Sequence, residues 1–371
     1  MKQLITTFLL LMTVSPQAFA SSHDLSSQDE PNLLVKRTGD VVLVADKFNK
    51  QYDIVVAFKK CMANELMTFQ RVYLAKNSNL NVNENSFSHI DIYLNTTTSD
   101  NIGPVLANGG WIGGNHVWSD KITHTAQTDS SKFLADGQEL ADGELLNCKE
   151  LKVVVWNTIF DYNSIIDPLL SEKVEYTVGA RCAIGVHLSH TYQKATWVTN
   201  YYGMQSMFNG EKEICTIGGA YPSFTPIYQV KAFSKKDYPN MKGYIEKCGE
   251  GFCQSAILNT DYGLGTHEMI DNNKDIFIYS SNKCYHVLIK NKSIAAGTTL
   301  SWKGKYEWFK DSLLGDVNED EAVDMSDVTE LVNYILNPYK TQNEIKFDIN
   351  RDATINVSDV SMIISLILSL E

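Results

Sequence analysis

The stretch between residues 32 and 310 is dominated by the two-residue alternation of apolar and polar side chains that is typical of β-strands. Val174, Tyr176 and Val178 alternate with polar neighbours, as do the apolar residues from Cys182 to Leu188. Further alternating or continuously apolar runs occur at residues 41–44, 54–58, 90–94, 153–156, 276–278, 287–289 and 300–308. The pattern predicts a mostly β body at residues 21–310, either a large β-sandwich or a supersandwich.

After residue 311 the apolar positions follow the period of an α-helix instead. The first apolar stripe consists of Val328, Leu331, Val332, Ile335 and Leu336. The second has the same spacing and consists of Val360, Ile363, Ile364, Ile367 and Leu368. This repeat predicts a small all-α domain at residues 311–371, in which Asp327 and Asp359 open the two helices and Pro338 ends the first.

The C-terminal segment also carries most of the net charge. The whole chain has 44 acidic and 32 basic residues, a formal net charge of -12. Residues 311–371 contain 13 of the acidic residues and only 3 of the basic ones. Carboxylates at this density repel one another unless a cation neutralises them, so the segment is either a solvated tail or a metal-binding domain. The acidic balance argues against a nucleic-acid partner.

The loop before each helix carries oxygen-bearing side chains at positions 1, 3, 5, 9 and 12, counted from Asp316 in the first loop and Asp348 in the second. An EF-hand loop binds calcium from these positions, together with the backbone carbonyl of position 7. The residues before Asp316 are too few for an incoming helix. The pattern therefore predicts two loop–helix units rather than complete helix–loop–helix hands.

This duplicated sequence resembles a type I-like dockerin, the domain that docks enzymes onto cohesin modules. The resemblance covers residues 313–371 and implies calcium as cofactor and a cohesin-like protein as partner. The implied ligands of the first loop are Asp316, Asn318, Asp320, the Ala322 carbonyl, Asp324 and Asp327. Those of the second loop are Asp348, Asn350, Asp352, the Thr354 carbonyl, Asn356 and Asp359. The implied partner-reading positions are Met325-Ser326 and Val357-Ser358.

Two features depart from the dockerin pattern. Position 6, normally glycine, is Glu321 in the first loop and Ala353 in the second. The usual Ser-Thr pair is absent from the partner-reading positions, which implies a divergent cohesin or another receptor. The second helix is apolar nearly all round, because Met362, Leu366 and Leu370 lie outside its core stripe. That helix either contacts a partner or packs against the rest of the chain.

The N-terminus has the three parts of a secretory signal peptide. A positive Met1-Lys2 start precedes an apolar stretch at residues 4–14 and a small-x-small sequence ending at Ala20. We therefore expect a signal peptide at residues 1–20 and a secreted, extracellular or cell-surface protein, the alternative being a buried N-terminal helix. No segment is long enough to predict a membrane span. The seven cysteines are irregularly spaced, and Cys248 and Cys253 are either a disulfide or buried thiols.

Two stretches of the body combine glycines with titratable side chains. Residues 109–120 contain four glycines followed by His116 and Asp120, a base and a carboxylate that could orient it. The run from Arg181 to His190 carries small residues and His187 on one side of a predicted strand. The candidate catalytic residues are therefore His116, Asp120, His187 and His190. Aromatic residues that could stack on sugars are Trp111, Trp118, Trp197, Tyr201 and Tyr202.

The body has a weak similarity to galactose-mutarotase-like supersandwich proteins, carried by Gly114-Asn115-His116 and by the strand ending at His190. Together with the dockerin resemblance, this implies a secreted protein of polysaccharide breakdown. Three hypotheses remain for the body. It is a glycan-active hydrolase, lyase or epimerase, a non-catalytic carbohydrate-binding module, or a structural or adhesive subunit.

The non-glycine residues at position 6 generate a first prediction. A left-handed backbone costs a residue other than glycine about 1–2 kcal/mol, so the loops should bind calcium weakly, with dissociation constants near ~10⁻⁴–10⁻³ M. Glu321→Gly and Ala353→Gly should each tighten calcium binding when measured by titration calorimetry. Unchanged affinity in both variants would contradict the strain argument.

Overall fold

The computed structural model describes residues 32–61, 63–95, 105–207, 212–280, 283–311, 314–318, 320, 322–337 and 344–370. The predicted signal peptide lies outside the described residues, as do Glu321 and Pro338. Among the described residues, no helix has the length and apolar character needed to cross a membrane.

The body consists almost entirely of antiparallel strands. They are β1 (Leu33–Thr38), β2 (Val41–Lys47), β3 (Tyr52–Cys61), β4 (Leu66–Lys76), β5 (Ile92–Asn95), β6 (Val105–Ala107), β7 (Gly110–Ile112), β8 (Ala126–Ala135), β9 (Gln138–Glu139), β10 (Leu145–Cys148) and β11 (Leu151–Asp161). The chain continues through β12 (Ser164–Val178), β13 (Ile184–Tyr192), β14 (Thr196–Met207), β15 (Glu213–Ile217), β16 (Thr225–Pro226), β17 (Phe233–Ser234), β18 (Gly243–Gly249), β19 (Phe252–Leu258), β20 (Asp275–Ser280), β21 (Lys283–Ile294) and β22 (Thr299–Lys310). Two helices follow, α1 (Met325–Leu336) and α2 (Val357–Leu370).

The strands form three sheets. The first six-stranded sheet has the order β10-β1-β2-β3-β4-β5, and the second has the order β17-β20-β21-β14-β6-β7. The third sheet is the largest and has ten strands, in the order β16-β15-β18-β19-β22-β13-β12-β11-β8-β9. This arrangement confirms the predicted large β body with two C-terminal helices.

Both six-stranded sheets pack on the same face of the ten-stranded sheet, which we call its inner face. Tyr306 of β22 shows this directly, because its ring lies 5.4 Å from that of Phe69 in the first sheet. The Tyr306 hydroxyl also donates to the Gln205 carbonyl in the second sheet over 2.8 Å. Trp302 adds a buried hydrogen bond of 2.7 Å to the Tyr201 hydroxyl of the second sheet. One continuous apolar core therefore joins the three sheets.

The opposite, outer face of the ten-stranded sheet is covered in part by the C-terminal domain. Cys215, Ile217, Ile245 and Cys253 lie on β15, β18 and β19 and form a second apolar cluster with Ile345 of the C-terminal domain. The C-terminal domain has its own core as well, in which the rings of Tyr334 and Phe347 stack at 4.3 Å. The seven cysteines of the body all lie among the described residues, where they are buried and outside any disulfide, including Cys248 and Cys253.

The two C-terminal helices occur where the apolar stripes predict them, but each starts earlier than expected. Asp324 is the N-cap of α1, and its side chain accepts a hydrogen bond from the Ser326 amide. Asp327 is instead the third residue of the helix, where its carboxylate accepts the Asp324 amide and completes a capping box. In α2, Asn356 and Asp359 repeat this arrangement. Asp327 and Asp359 therefore lie in the first turns of the helices, as expected, but each helix begins two residues earlier.

Candidate functional site

The two acidic loops have matching hydrogen bonds at equivalent positions. At position 1, the carboxylates of Asp316 and Asp348 accept the amides of Asp320 and Asp352, each over 3.1 Å. At position 3, the side-chain amide groups of Asn318 and Asn350 donate to those same position-5 aspartates, over 2.9 and 3.1 Å. At position 12, Asp327 and Asp359 accept the amides of Asn318 and Asn350. The sequence duplication is thus also a duplication of backbone geometry.

Four of the loop carboxylates are almost completely buried. They belong to Asp316, Asp327, Asp348 and Asp359, with exposed fractions of 3%, 0%, 4% and 0%. Burial raises the pKa of Asp348 to about 6, although the nearby Arg351 guanidinium acts in the opposite direction. Buried anionic oxygens are costly without a positive counter-charge, and a donor set of carboxylates, amides and carbonyls suits a hard cation.

The described acidic, histidine and cysteine side chains do not form a group of three or more at metal-binding distances. In the loops, several carboxylate oxygens accept backbone amides instead, as those of Asp327 do from Val317 and Asn318. The sequence-predicted ligands are therefore brought into two compact loops, while their convergence on an ion stays a prediction.

In the body, His116 and Asp120 lie in the same loop but have different surroundings. The His116 ring stacks on Trp111 at a centroid distance of 5.3 Å. The exposed Asp120 carboxylate accepts the amides of Ile122 and Thr123 over 3.0 and 2.8 Å, and it also accepts the Thr123 hydroxyl. These hydrogen bonds lower the pKa of Asp120, with the Thr123 hydroxyl contributing most. Asp120 thus stabilises a tight turn.

The Trp111 ring is also part of a row of partly exposed aromatic side chains. Tyr202 of β14 lies 5.1 Å from Trp111 of β7, and Tyr285 of β21 lies 4.7 Å from Tyr202. We call His116, Trp111, Tyr202 and Tyr285 the aromatic strip. Sequence reasoning identified Trp111 and Tyr202 as candidates but missed Tyr285, because only the pairing of β14 with β21 brings that residue next to them.

The other aromatic candidates lie elsewhere. Tyr201 is 1% exposed and points into the core, where burial raises its pKa well above the usual value. Trp118 donates its indole N–H to the Tyr162 carbonyl over 2.9 Å. Trp197 is 54% exposed on β14.

His187 and His190 lie on opposite faces of β13, because they are an odd number of positions apart, three, in a strand whose side chains alternate. His187 is on the outer face, with Nδ1 3.4 Å from a Glu175 carboxylate oxygen and Nε2 3.1 Å from the Tyr262 hydroxyl. Hydrogen bonding to Lys173, more than to His187, lowers the pKa of Glu175. These two histidines cannot contact one substrate molecule from the same side of the sheet.

His190 belongs to a buried polar row that crosses four strands of the ten-stranded sheet. Its Nε2 lies 2.6 Å from a Glu172 oxygen, and the other Glu172 oxygen accepts the Asn157 side-chain amide over 2.8 Å. Asn157 in turn accepts the Thr128 hydroxyl over 2.8 Å. Since the His190 side chain is 1% exposed, the row stabilises the interior rather than offering a group to solvent.

Residues 314–368 match the family model described as Dockerin type I domain. The C-terminal segment is a type I dockerin domain. Type I dockerin domains bind calcium and dock onto cohesins, and proteins that carry them are typically extracellular or attached to the cell surface.

The body resembles several solved structures at low identity. The galactosidase domain of the alpha-galactosidase-sucrose kinase AgaSK aligns with a TM-score of 0.41 and 11% identity, over 74% of this chain and 42% of that protein. An alpha-galactosidase from Lactobacillus brevis gives 0.39 and 10%, over 74% and 40% of the two chains. The heparan sulfate lyase HepC from Pedobacter heparinus gives 0.35 and 10%, over 76% and 37%.

The chain spans about two fifths of the length of each of these proteins, and such TM-scores are too low to assign an activity. No curated protein matches the sequence.

The dockerin exposes both positions that the family resemblance assigns to partner contact. Met325 is 50% exposed and Val357 is 69% exposed, although both are apolar. Ser326 and Ser358, which follow them, are exposed as well. Leu336 and Leu368 add further apolar surface near the ends of the two helices, at 70% and 67% exposure. Exposed apolar side chains of this kind are typical of protein-binding faces.

The two histidine–glutamate pairs of β12 and β13 generate a matched prediction. Glu172→Ala would leave His190 and Asn157 without their buried partner, so we expect it to lower the free energy of unfolding by about 3–5 kcal/mol. Glu175→Ala removes the partly exposed partner of His187 and should cost about 0–1 kcal/mol. Urea unfolding followed by tryptophan fluorescence measures both values, and equal losses would contradict the assigned burial.

Proposed function

We propose that this protein is secreted and takes part in polysaccharide breakdown, with a signal peptide at residues 1–20, a glycan-binding body at residues 21–310 and a dockerin at residues 311–371. The observation that carries the proposal is the pair of acidic loops with equivalent hydrogen bonds in the segment that matches the dockerin family. Docking onto a cohesin-like partner would raise the local concentration of cooperating proteins around one polysaccharide.

In this proposal each loop holds one calcium ion. The first would be held by Asp316, Asn318, Asp320, Asp324, Asp327 and the Ala322 carbonyl. The second would be held by Asp348, Asn350, Asp352, Asn356, Asp359 and the Thr354 carbonyl. The ions would supply the positive charge that offsets the burial of carboxylates such as Asp327 and Asp359. The helices that follow would then present Met325 and Val357 to the partner.

The body offers the aromatic strip as the glycan-binding surface. The strip crosses from β7 to β21 as neighbouring rings 4.7–5.3 Å apart, which gives a continuous and partly exposed aromatic surface for the C–H groups of a sugar ring. Polar side chains lie in the same row of the sheet, because Trp111 pairs with Leu106 and Leu106 pairs with Asn200. The Asn200 side-chain oxygen accepts a hydrogen bond of 2.6 Å from Lys290. Amide and ammonium groups next to aromatic rings would suit the hydroxyl groups of a sugar.

A catalytic body is the second candidate, and the Glu175–His187–Tyr262 hydrogen-bond chain favours it. An imidazole held between a carboxylate and a phenol can move a proton between solvent and a bound substrate. Lys303 lies over the Tyr262 ring at 4.3 Å and would add a positive charge for an acidic sugar. His187 is one third exposed, whereas His190 is inaccessible.

Calcium titration of the full chain tests the docking half of the proposal. We expect two ions per chain by calorimetry, and one ion in Asp320→Ala or in Asp352→Ala, because each variant removes the position-5 ligand of one loop. Binding to immobilised type I cohesin modules should require calcium and disappear in EDTA. A full chain that binds no calcium would overturn the assignment of the loops.

Substitution in the strip tests the glycan half. On a glycan array, Trp111→Ala should weaken the bound signal about tenfold or more, a loss of about 1.4 kcal/mol. Trp197→Ala is the control, since it removes an exposed tryptophan outside the strip and should leave binding unchanged. Product analysis of the same incubations separates the two candidates. Turnover that is lost in His187→Ala would favour catalysis, and binding without products would favour a binding module.

A further inference from the structure

The second dockerin loop packs against the body. This contact suggests different roles for the two loops. Ile345, which precedes the second loop, is 5% exposed and packs against Ile217 and Ile245 of the outer face. Ala353 within the loop packs against the same apolar cluster. An apolar contact of this kind ties the backbone on both sides of Asp348 to the ten-stranded sheet.

Two hydrogen bonds reinforce the contact. The Gly218 amide, just after β15, donates to the Arg351 carbonyl over 3.1 Å. The Lys242 ammonium donates to the Ala353 carbonyl over 2.9 Å. Gly218 has a φ of +73°, and a Cβ there would lie 2.0 Å from the Asn240 carbonyl oxygen, so this position of the body requires glycine. The body therefore holds two backbone carbonyls of the second loop in place, those of Arg351 and Ala353.

The same contact accounts for the alanine at position 6. Ala353 has a φ of +72°, a left-handed conformation in which glycine would be less strained. Its Cβ, however, contributes to the apolar cluster with the body. This contact offsets part of the strain of the alanine, so the gain in calcium affinity expected of Ala353→Gly is smaller than the gain expected of Glu321→Gly.

The two loops also differ in charge. Residues 316–327 of the first loop contain six acidic residues and no basic one, for a formal charge of -6. Residues 348–359 of the second contain three acidic residues and Arg351, for a formal charge of -2. At position 4, the first loop has Glu319 where the second has Arg351. Without a cation, mutual repulsion therefore opposes folding of the first loop much more strongly than that of the second.

We propose that the body braces the second loop, so that this loop keeps its fold without calcium, whereas the first loop folds only when calcium is bound. The inference rests on the proposed function of the loops as calcium sites. The dockerin would then stay attached to the body at all calcium concentrations, and calcium would act mainly on the first loop and on the Met325 side of the docking face.

Hydrogen–deuterium exchange of the full chain, in EDTA and in calcium, tests the proposal. The matched hydrogen bonds supply paired reporters, namely the amides of Asn318 and Asn350, of Asp320 and Asp352, and of Asp324 and Asn356. In EDTA we expect the first-loop amide of each pair to exchange at least tenfold faster than its second-loop counterpart. Calcium should slow the first-loop amides and change the second-loop amides little.

A body variant provides the second measurement. Lys242→Ala removes the hydrogen bond to the Ala353 carbonyl and should speed exchange of the second-loop amides in EDTA several-fold, while Lys236→Ala, an exposed lysine nearby in sequence, should not. Equal exchange of the two loops in EDTA, or unchanged exchange of the second loop in Lys242→Ala, would overturn the proposal that the body stabilises the second loop. Neither result would contradict the assignment of the loops as calcium sites. A lack of any calcium effect on either loop would overturn the proposed sites themselves and, with them, the calcium dependence of the first loop.

Discussion

The ten-stranded sheet has two faces, and burying one of them under two smaller sheets determines how the rest of the molecule is arranged. Tyr306, Trp302 and Tyr176 fill the inner face and contact strands of both six-stranded sheets between them. The alternation of β-strand side chains then sends every second residue to the outer face. That face is apolar where the dockerin packs and polar around His187. Because their side chains point to opposite faces, His190 is buried in the inner face and His187 is accessible to solvent on the outer face.

The dockerin is held by two kinds of interaction that act at different places. Its own core joins the helices through residues such as Tyr334 and Phe347, while Ile345 connects it to the body. The loops add buried carboxylates, which are unfavourable without a positive charge nearby. For the second loop, Arg351 and Lys242 already supply positive charge from within the chain. The first loop contains no basic residue, so the two similar repeats differ in how far the chain itself neutralises their carboxylates.

Much of the fold could be predicted because its strands are half-buried or fully buried in regular patterns. The apolar runs at residues 153–156 and 174–178 lie in β11 and β12, and the helical stripes lie in α1 and α2. Strands such as β8 were missed, because its pattern mixes exposed and buried positions without clean alternation. Cys182, which the alternation placed in a strand, lies in a tight turn with a φ of +53°. The alternating pattern begins at Cys182, but the turn occupies that position, so the strand β13 begins only at Ile184.

The sequence by itself determined the type I dockerin, because the oxygen-bearing loop positions, the helix stripes and their repeat are all local in the chain. It also determined that the two histidines of β13 lie on opposite sides of the strand, since successive side chains of any strand point to opposite faces. Only the tertiary structure decided that Glu172 meets His190, that Tyr285 joins Trp111 and Tyr202, and that Ala353 meets the body. Each of these depends on which distant strands pair and which sheet faces pack together, and residues far apart in the chain carry no local signal of that choice.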